Sequence, residues 1–297
     1  MTLVSSRREV LKSIVVGAVA LPPLTLSSVF AKNNEVLGQN LNGKINHSVC
    51  RWCYSKIPLE TLAQEAKKIG ITSIELCGPE EWPVLKKNGL TCALPWGEGA
   101  TRSLDKGFCD PANHEALIRD FTDVIPKVQA AGYDKIICFS GNRRGMSDID
   151  GMRNCAMGIR KLLPLAEKHN VTLVMELLNS KVDHRDYMCD KTSWGAGLCE
   201  MVSSDKFKLL YDIYHMQIME GDVIATIRKY HKYIAHYHTG GVPGRNEIDE
   251  SQELYYPAIM KAIVETGYKG YVGQEFVPSR KDDIASLSQA VKICDIA

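Results

Sequence analysis

Short apolar runs alternate with longer amphipathic stretches along most of this chain, and this alternation is the strongest constraint on its fold. The runs are rich in Val, Ile, Leu, Tyr and Cys and lack a regular polar alternation. That pattern is typical of strands buried on both faces of a parallel sheet. Eight such runs occur, at residues 45–50, 73–76, 90–94, 135–139, 171–176, 207–212, 233–238 and 270–276.

The stretches between the runs carry apolar residues at helical spacing. Residues 59–69, for example, place apolar side chains on one face and end at Gly70, a typical helix C-terminal cap. Strand and helix alternating eight times predicts a parallel sheet with crossover helices, and eight units in about 250 residues is the size of a (β/α)8 TIM barrel. An open doubly wound sheet is the alternative, but it would require a glycine-rich phosphate loop after an early strand.

The N-terminal region has the features of an export signal. The pair Arg7-Arg8 precedes an uncharged stretch at residues 13–30, and Ala31 follows as a plausible cleavage point. This arrangement resembles a twin-arginine signal. We therefore expect residues 1–31 to direct export, and the protein to be periplasmic or otherwise extracytoplasmic, while cleavage of the signal stays open.

A membrane anchor is the other reading of the same region. Pro22-Pro23 interrupts the apolar stretch, which is then too short to cross a bilayer as one helix. We expect no stable membrane span. Residues 32–44 are predicted to be a polar tether, and residues 45–297 a single catalytic barrel.

Charge is nearly balanced over the whole chain, with 36 Lys and Arg against 35 Asp and Glu. The barrel region has no basic stripe, so the electrostatic signature of a nucleic-acid-binding protein is missing. We expect no nucleic-acid partner and a small neutral or anionic substrate. The sequence leaves open whether the barrel forms a homo-oligomer.

Four polar residues interrupt the carboxyl ends of the last four apolar runs: Glu176, Asp212, His238 and Glu275. In a TIM barrel these ends form the active-site face. A buried carboxylate is costly unless it is paired or binds a cation. Each acid could pair with an Arg or Lys across the mouth of the barrel, but four such residues in successive strands favour a metal site.

The proposed ligand set indicates one divalent cation. Three carboxylates facing one mouth would repel each other, and a divalent ion resolves the conflict. Three oxygen ligands and one imidazole suit Mn²⁺, Mg²⁺ or Co²⁺ better than a thiol-rich zinc site does. His236 faces the same side as His238. We favour His238 as the ligand because it lies nearer the strand end.

Four sequence strings carry a family resemblance: Glu176-Leu-Leu-Asn179, Tyr211-Asp212-Ile-Tyr-His215-Met-Gln217, His238-Thr-Gly-Gly-Val-Pro243-Gly244-Arg245-Asn-Glu247 and Gly273-Gln-Glu275-Phe. They resemble the hydroxypyruvate isomerase branch of the xylose isomerase-like superfamily, and sugar 3-epimerases share the same layout. The resemblance covers most of residues 45–295. It implies that Glu176 and Glu275 are metal ligands and also the catalytic acid/base pair.

The resemblance implies a proton transfer on a hydroxy-ketone. One glutamate removes a proton from carbon to give an enediolate, and the other returns a proton. Return to the adjacent carbon is isomerisation, whereas return to the opposite face is epimerisation. His238 is typical of the epimerases, which differ here from the Gln of hydroxypyruvate isomerases, while Pro243-Gly244-Arg245 is typical of hydroxypyruvate isomerase. The choice between the two reactions therefore stays open.

Four further residues are candidates for substrate binding. His215 resembles the family's ligand to a substrate oxygen, and Arg245 lies in a loop above the mouth, where it could hold a hydroxyl or carboxylate. Trp96 and Glu98 follow the third predicted strand and could cover the substrate. The alternatives are a satisfied loop histidine, a surface salt bridge for Arg245, and ordinary loop packing for Trp96.

The leading hypothesis is a metal-dependent isomerase acting on a small carbohydrate or hydroxy-keto acid. A ketose 3-epimerase is the main alternative, and export favours free or keto-sugars over cytoplasmic hydroxypyruvate. An endonuclease IV-like phosphodiesterase would need a multi-metal cluster with more histidines than the 8 in this chain. A non-catalytic sugar-binding barrel would not need the pair of glutamates.

Overall fold

A curved parallel sheet forms the centre of the molecule. The computed structural model describes residues 41–297, so the predicted export signal and most of the predicted tether lie outside this range. In the described residues the strands are β1 (Asn46–Cys50), β2 (Ser73–Glu75), β3 (Lys135–Cys138), β4 (Thr172–Glu176), β5 (Phe207–Asp212), β6 (Ile234–Thr239) and β7 (Tyr271–Gln274). Their order is β2-β1-β7-β6-β5-β4-β3, and every pairing is parallel.

The segment 90–95 lies between β2 and β3 and closes the sheet. On one side, the Leu76 amide donates to the Leu94 carbonyl at 2.9 Å. On the other side, the Ile137 amide donates to the Pro95 carbonyl at 3.2 Å. The segment thus takes the place of a strand in the ring, and the predicted (β/α)8 barrel is confirmed.

This segment also corrects one prediction. Residues 90–94 were expected to form a regular strand, but Thr91 alone makes an isolated ladder bridge there, with Ser73. The Ala93 amide donates instead to the Ser73 side-chain oxygen at 2.8 Å. Because a hydroxyl replaces a backbone carbonyl in the ladder, the pairing loses its regular repeat.

Nine α-helices lie in the described residues: α1 (Leu59–Ile69), α2 (Trp82–Lys87), α3 (His114–Ala130), α4 (Asp148–Lys168), α5 (Thr192–Val202), α6 (Ile213–Met219), α7 (Val223–Tyr230), α8 (Tyr256–Glu265) and α9 (Asp283–Cys294). The helix α1 shows how they form. It buries Leu62, Ala66 and Ile69 along one face and ends at Gly70, whose φ of 94° suits glycine. Its buried face packs into the core around the barrel.

The alternation predicts helices between the strands, but helical spacing in the sequence did not define three of them: α2, α5 and α6. The helix α5 is buried on most of its surface, so its sequence carries no clear amphipathic repeat. It also contains Gly195, where an added Cβ would lie 2.9 Å from Leu209 of β5. That glycine lets the helix approach the barrel wall closely, although glycine is a weak signal for a helix.

All ten cysteines lie in the described residues, and each is a free thiol. Nine of them are buried, which agrees with a role as small hydrophobic residues. Among residues 41–297, no helix combines the length and apolar character needed to cross a bilayer.

Candidate metal centre and active site

The four predicted ligands meet at the carboxyl mouth of the barrel. Glu176 and Asp212 end β4 and β5, His238 lies near the end of β6, and Glu275 follows β7 directly. The strand register places Asp212 and His238 at the same level along the barrel axis, since the two residues pair. One donor atom from each of the four residues lies within 4.8 Å of the donor atoms of the other three, and all four residues are buried.

The possible metal-ligating atoms lie close together, and two of them have no hydrogen-bond partner. His238 Nδ1 lies 2.7 Å from Glu275 Oε2 and 3.4 Å from Glu176 Oε1. Neither His238 Nδ1 nor Glu176 Oε1 is aligned for a hydrogen bond, although both are buried. Unpartnered buried acceptors are costly. Three carboxylates and one imidazole in this arrangement fit a divalent cation.

Electrostatics within the cluster support the same conclusion. Burial raises the pKa of Glu176, and the charge of Glu275 raises it further. Burial also raises the pKa of Asp212 well above its usual range. For Glu275, burial opposes ionisation, but His238 and Arg245 outweigh it and lower the pKa well below its usual range. A cation among these groups would favour the charged form of all three carboxyls.

Arg245 extends over the mouth from the loop after β6. Its Nη2 lies 2.7 Å from Glu275 Oε2 and 3.4 Å from Asp212 Oδ2. The guanidinium also lies over the rings of Trp52 and Tyr214, at 5.2 and 5.3 Å from their centroids. These contacts fix a donor group beside the cluster. The predicted alternative, a surface salt bridge, is not what the structure contains.

The loop that carries Arg245 has a closely packed backbone. The Arg245 amide donates to the Gly241 carbonyl at 2.8 Å, and the Arg245 carbonyl accepts from Val277 at 2.7 Å. An added Cβ on Gly241 would lie 2.2 Å from the Glu247 carbonyl oxygen. Glycine at 241 is therefore required for this loop to place Arg245.

His215 is buried beside the same cluster, and one of its ring nitrogens faces the site. The backbone amide of Asn179 donates to His215 Nδ1 at 3.2 Å, so Nδ1 acts as an acceptor. Burial lowers the pKa of His215 well below its usual value, which keeps the ring neutral. The proton must then be on Nε2, which lies 3.8 Å from Asp212 Oδ2 and has no hydrogen-bond partner. His215 thus offers one N–H donor to a molecule bound beside Asp212.

A cavity of about 300 Å³ opens beside the cluster. Charged and polar side chains and a larger number of apolar ones line it; the lining residues are Trp52, Leu76, Trp96, Leu104, Ile137, Phe139, Glu176, Leu178, His184, Arg245 and Glu275. Trp96 therefore lies where the sequence placed it. Glu98 does not, because its carboxylate is exposed and pairs with Lys127 at 3.0 Å. Glu98 directly precedes a short 3-10 helix at Gly99–Arg102 and is not one of the residues that line the cavity.

Two residues in contact with the ligands were missed by the sequence analysis. Trp52 donates from its indole Nε1 to Glu275 Oε1 at 2.7 Å. Glu75 of β2 is fully buried and lies 2.7 Å from the Nε2 atoms of both His236 and His238. An acidic residue within an apolar run was a signal for Glu75. Nothing local marked Trp52, which follows β1 in a short 3-10 helix.

The fold and the position of the carboxylates define an α/β barrel with a candidate site at the carboxyl ends of its strands. The chain belongs to the xylose isomerase-like TIM barrel family, whose family model matches residues 63–293. It is 34% identical over 207 residues to a 2-oxo-tetronate isomerase from Cupriavidus necator, covering 65% of this chain and 75% of that protein. A human relative of the hydroxypyruvate isomerase group is 33% identical over 124 residues, or 42% of this chain, and the match spans only 44% of that protein.

Solved structures share the fold at low sequence identity. A family 2 AP endonuclease from Brucella melitensis superposes with a TM-score of 0.71 at 23% identity, covering 82% of this chain and 98% of that one. A 3-keto-D-glucoside 4-epimerase from E. coli gives 0.70 at 15% identity, covering 84% of this chain and 98% of that one. At these identities the likeness establishes the barrel and no particular reaction.

Proposed function

We propose that this protein is a divalent-metal-dependent isomerase of the hydroxypyruvate isomerase-like kind, which moves a proton between neighbouring carbons of a hydroxy-ketone sugar or hydroxy-keto acid. The observation that carries the proposal is the convergence of Glu176, Asp212, His238 and Glu275 on one buried point. The isomerase names of the sequence relatives support the same reaction class.

The four ligand residues would hold the cation. A bound Mn²⁺, Mg²⁺ or Co²⁺ would polarise the substrate's carbonyl and hydroxyl oxygens and acidify the carbon–hydrogen bond beside them. Glu176 and Glu275 would exchange the proton with the substrate carbon through an enediolate. Their carboxylates face the cavity from two strands, so each can address a different side of a bound molecule.

The surrounding residues would orient the substrate. His215 would donate from Nε2 to a substrate oxygen beside Asp212. Arg245 would donate to a hydroxyl or carboxylate, since its planar guanidinium already lies at the edge of the cavity. Trp96 and the other apolar residues that line the cavity would exclude water from the reacting carbons, which protects the enediolate from unwanted protonation.

The deciding experiment is solvent-exchange NMR on the metal-loaded protein. The panel contains hydroxypyruvate, 2-oxo-tetronate, free ketoses and keto-glycosides in deuterium oxide. We expect deuterium to enter one carbon of one substrate class, and product analysis to show a shifted carbonyl. If every panel member keeps all its carbon-bound protons while the protein binds Mn²⁺, the proposed reaction is wrong.

Two variants make the experiment specific. Glu275→Gln should abolish exchange while preserving the fold, because it removes the proposed acid/base group but few atoms. Glu265→Gln is the matched control, since Glu265 is exposed and pairs with Arg228 on the outside of the barrel. Equal exchange rates in the two variants would contradict the role of Glu275.

Ketose 3-epimerisation is the second candidate, and the observation that favours it is His238. In the family resemblance a histidine at this position is typical of the epimerases. The same two glutamates would serve, with the proton returned to the opposite face of the same carbon. Deuterium entering a single carbon with inverted configuration, and no shift of the carbonyl, would identify this reaction.

We further propose export by the twin-arginine route, based on Arg7-Arg8 and the apolar stretch that follows. Replacing both arginines by lysine keeps the charge and should hold the protein in the cytoplasm. Cell fractionation of the two forms provides the measurement. Equal periplasmic amounts would contradict this route.

A further inference from the structure

Glu75 lies directly behind the ligand His238, on the side away from the cation position. Its Oε1 is 2.7 Å from His238 Nε2 and 2.7 Å from His236 Nε2. All three side chains are fully or almost fully buried. One carboxylate oxygen that lies 2.7 Å from two imidazole nitrogens can accept a hydrogen bond from both, so each ring donates from Nε2 to Glu75.

The donor role of Nε2 determines what the other nitrogen of His238 can do. With its proton on Nε2, a neutral His238 has its lone pair on Nδ1. That is the atom facing Glu176 and Glu275, at 3.4 and 2.7 Å. A cation bound at Nδ1 takes the place of any proton there, because a ligating histidine must be neutral. The opposite tautomer would place hydrogen on the ligand atom.

The backbone next to this contact leaves space for it. Gly273 of β7 pairs in register with His238. An added Cβ at Gly273 would lie 2.7 Å from Glu75 Oε1 and 2.9 Å from His238 Cδ2. Such contacts are too short to exist, so any other residue here would push Glu75 and His238 apart. Glycine at position 273 of β7 therefore leaves the space that the Glu75–His238 contact needs.

We propose that Glu75 is a positioning residue that locks His238 in the metal-binding tautomer and orientation, with His236 holding Glu75 in place from below. This inference rests on the proposed metal centre. Carboxylate groups behind metal-binding histidines serve this purpose in many proteins and strengthen the ligand. Glu75 itself is not one of the residues that line the cavity.

A competing arrangement uses the same residues differently. Cys50 Sγ lies 3.7 Å from His238 Nε2 and 3.9 Å from Glu75 Oε1, so these three side chains could themselves hold a thiol-binding metal. Both contacts of Cys50 are longer than the 2.7 Å contact between Glu75 and His238 Nε2, so the Glu75–His238 pair is the tighter arrangement. Cys50→Ser therefore separates the two arrangements and also serves as the matched control for a polar change in this cluster.

The test measures Mn²⁺ affinity by electron paramagnetic resonance on the full-length protein and its variants. We expect Glu75→Gln to weaken Mn²⁺ binding by about 10- to 100-fold, the usual cost of losing such a partner. Glu75→Asp keeps the charge at a shorter reach and should restore part of the affinity. Cys50→Ser should bind Mn²⁺ as the parent protein does. Nitrogen-15 NMR of the Mg²⁺-loaded parent should show the His238 proton on Nε2.

Each remaining outcome overturns the proposal in a distinguishable way. Unchanged Mn²⁺ affinity in Glu75→Gln, with only a lower melting temperature, would assign Glu75 a purely structural role. Loss of affinity in Cys50→Ser, with a thiolate charge-transfer band in the Co²⁺-loaded parent, would place the cation on the Nε2 side. A parent protein that binds no divalent cation would overturn the metal centre and this inference with it.

Discussion

The pKa values of two buried histidines at opposite ends of the barrel are shifted in opposite directions. His238 lies at the carboxyl mouth, and His47 lies near the amino end, in β1. Burial disfavours the protonated form of both rings. At His47 burial outweighs Asp295, whose Oδ1 is 3.8 Å away, and the pKa falls to about 4. At His238 the groups of Cys50 and Glu275 outweigh burial, and the pKa rises well above its usual value.

The difference shows that depth of burial alone does not set the charge of a histidine here. His238 has carboxylate oxygens 2.7 Å from each ring nitrogen, whereas His47 has one carboxylate at a longer distance. Coulomb energies grow as distance shrinks, and two partners add. The amino end thus carries a neutral packed histidine, and the carboxyl mouth carries a charged cluster that suits a cation. This matches the division of stability and function between the two ends of TIM barrels.

The largest expected effect is a loss of turnover, and it tests whether function is confined to the carboxyl mouth. Glu176→Gln at the carboxyl mouth should reduce turnover of the identified substrate by about 10²- to 10⁴-fold, the usual contribution of a general acid or base. Asp295→Asn makes the same chemical change at the amino end and should leave turnover intact. Steady-state kinetics at saturating Mn²⁺ compares the two. A similar loss in both variants would remove the functional distinction between the ends.

A smaller effect concerns stability and pH at the amino end. The folded-state pKa of His47, about 4, lies below the unfolded value of 6.5, so the unfolded chain binds a proton first as pH falls. Stability from this group is complete above pH 6.5 and is lost as pH falls toward 4, by about 3 kcal/mol in total.

The His47→Met variant isolates this contribution, since Met fills a similar volume and does not titrate. Urea unfolding between pH 7.5 and 4 should show a shallower decline for the variant than for the parent. Parallel curves would mean that folding does not shift the pKa of His47, and the contrast with His238 would disappear.

The smallest expected effect is a gain in stability, whereas most mutations lower the stability of a protein. In the presence of a chelator, Glu176→Gln should raise the free energy of unfolding by roughly 1 kcal/mol, because it removes one of three crowded carboxylates. The melting temperature should then rise by about 2–4 °C. With Mn²⁺ added, the parent should become the more stable of the two. A lower melting temperature for the variant in chelator would indicate that the carboxylates do not repel.

The sequence identified members of the buried cluster where the signal was local. Glu176, Asp212 and Glu275 stand out because a charged residue in an apolar strand end is costly and hence informative. The same rule applied to Glu75, which was overlooked because it lies on an early strand and not in the run of four. The strand register that brings Asp212 beside His238 was visible only in the structure.

The remaining parts of the site depend on loop geometry, which the sequence does not specify. Arg245 reaches the cluster only because Gly244 and Arg245 both have positive φ angles, of 94° and 58°. Trp52 meets Glu275 across 223 residues of chain. Glu98 was expected to cover the substrate because it follows the third predicted strand, but its side chain is exposed and pairs with Lys127. Proximity in sequence is a weak guide within loops.

The position of Trp52 also has a practical consequence. Its indole donates to Glu275 Oε1, and Trp96 lines the same cavity, so two of the chain's four tryptophans lie beside the proposed reaction centre. Indole emission depends on nearby charge and solvent. The protein therefore carries its own optical reporter, and a fluorescence titration can follow cation or sugar entry on unlabelled material before any substrate is known.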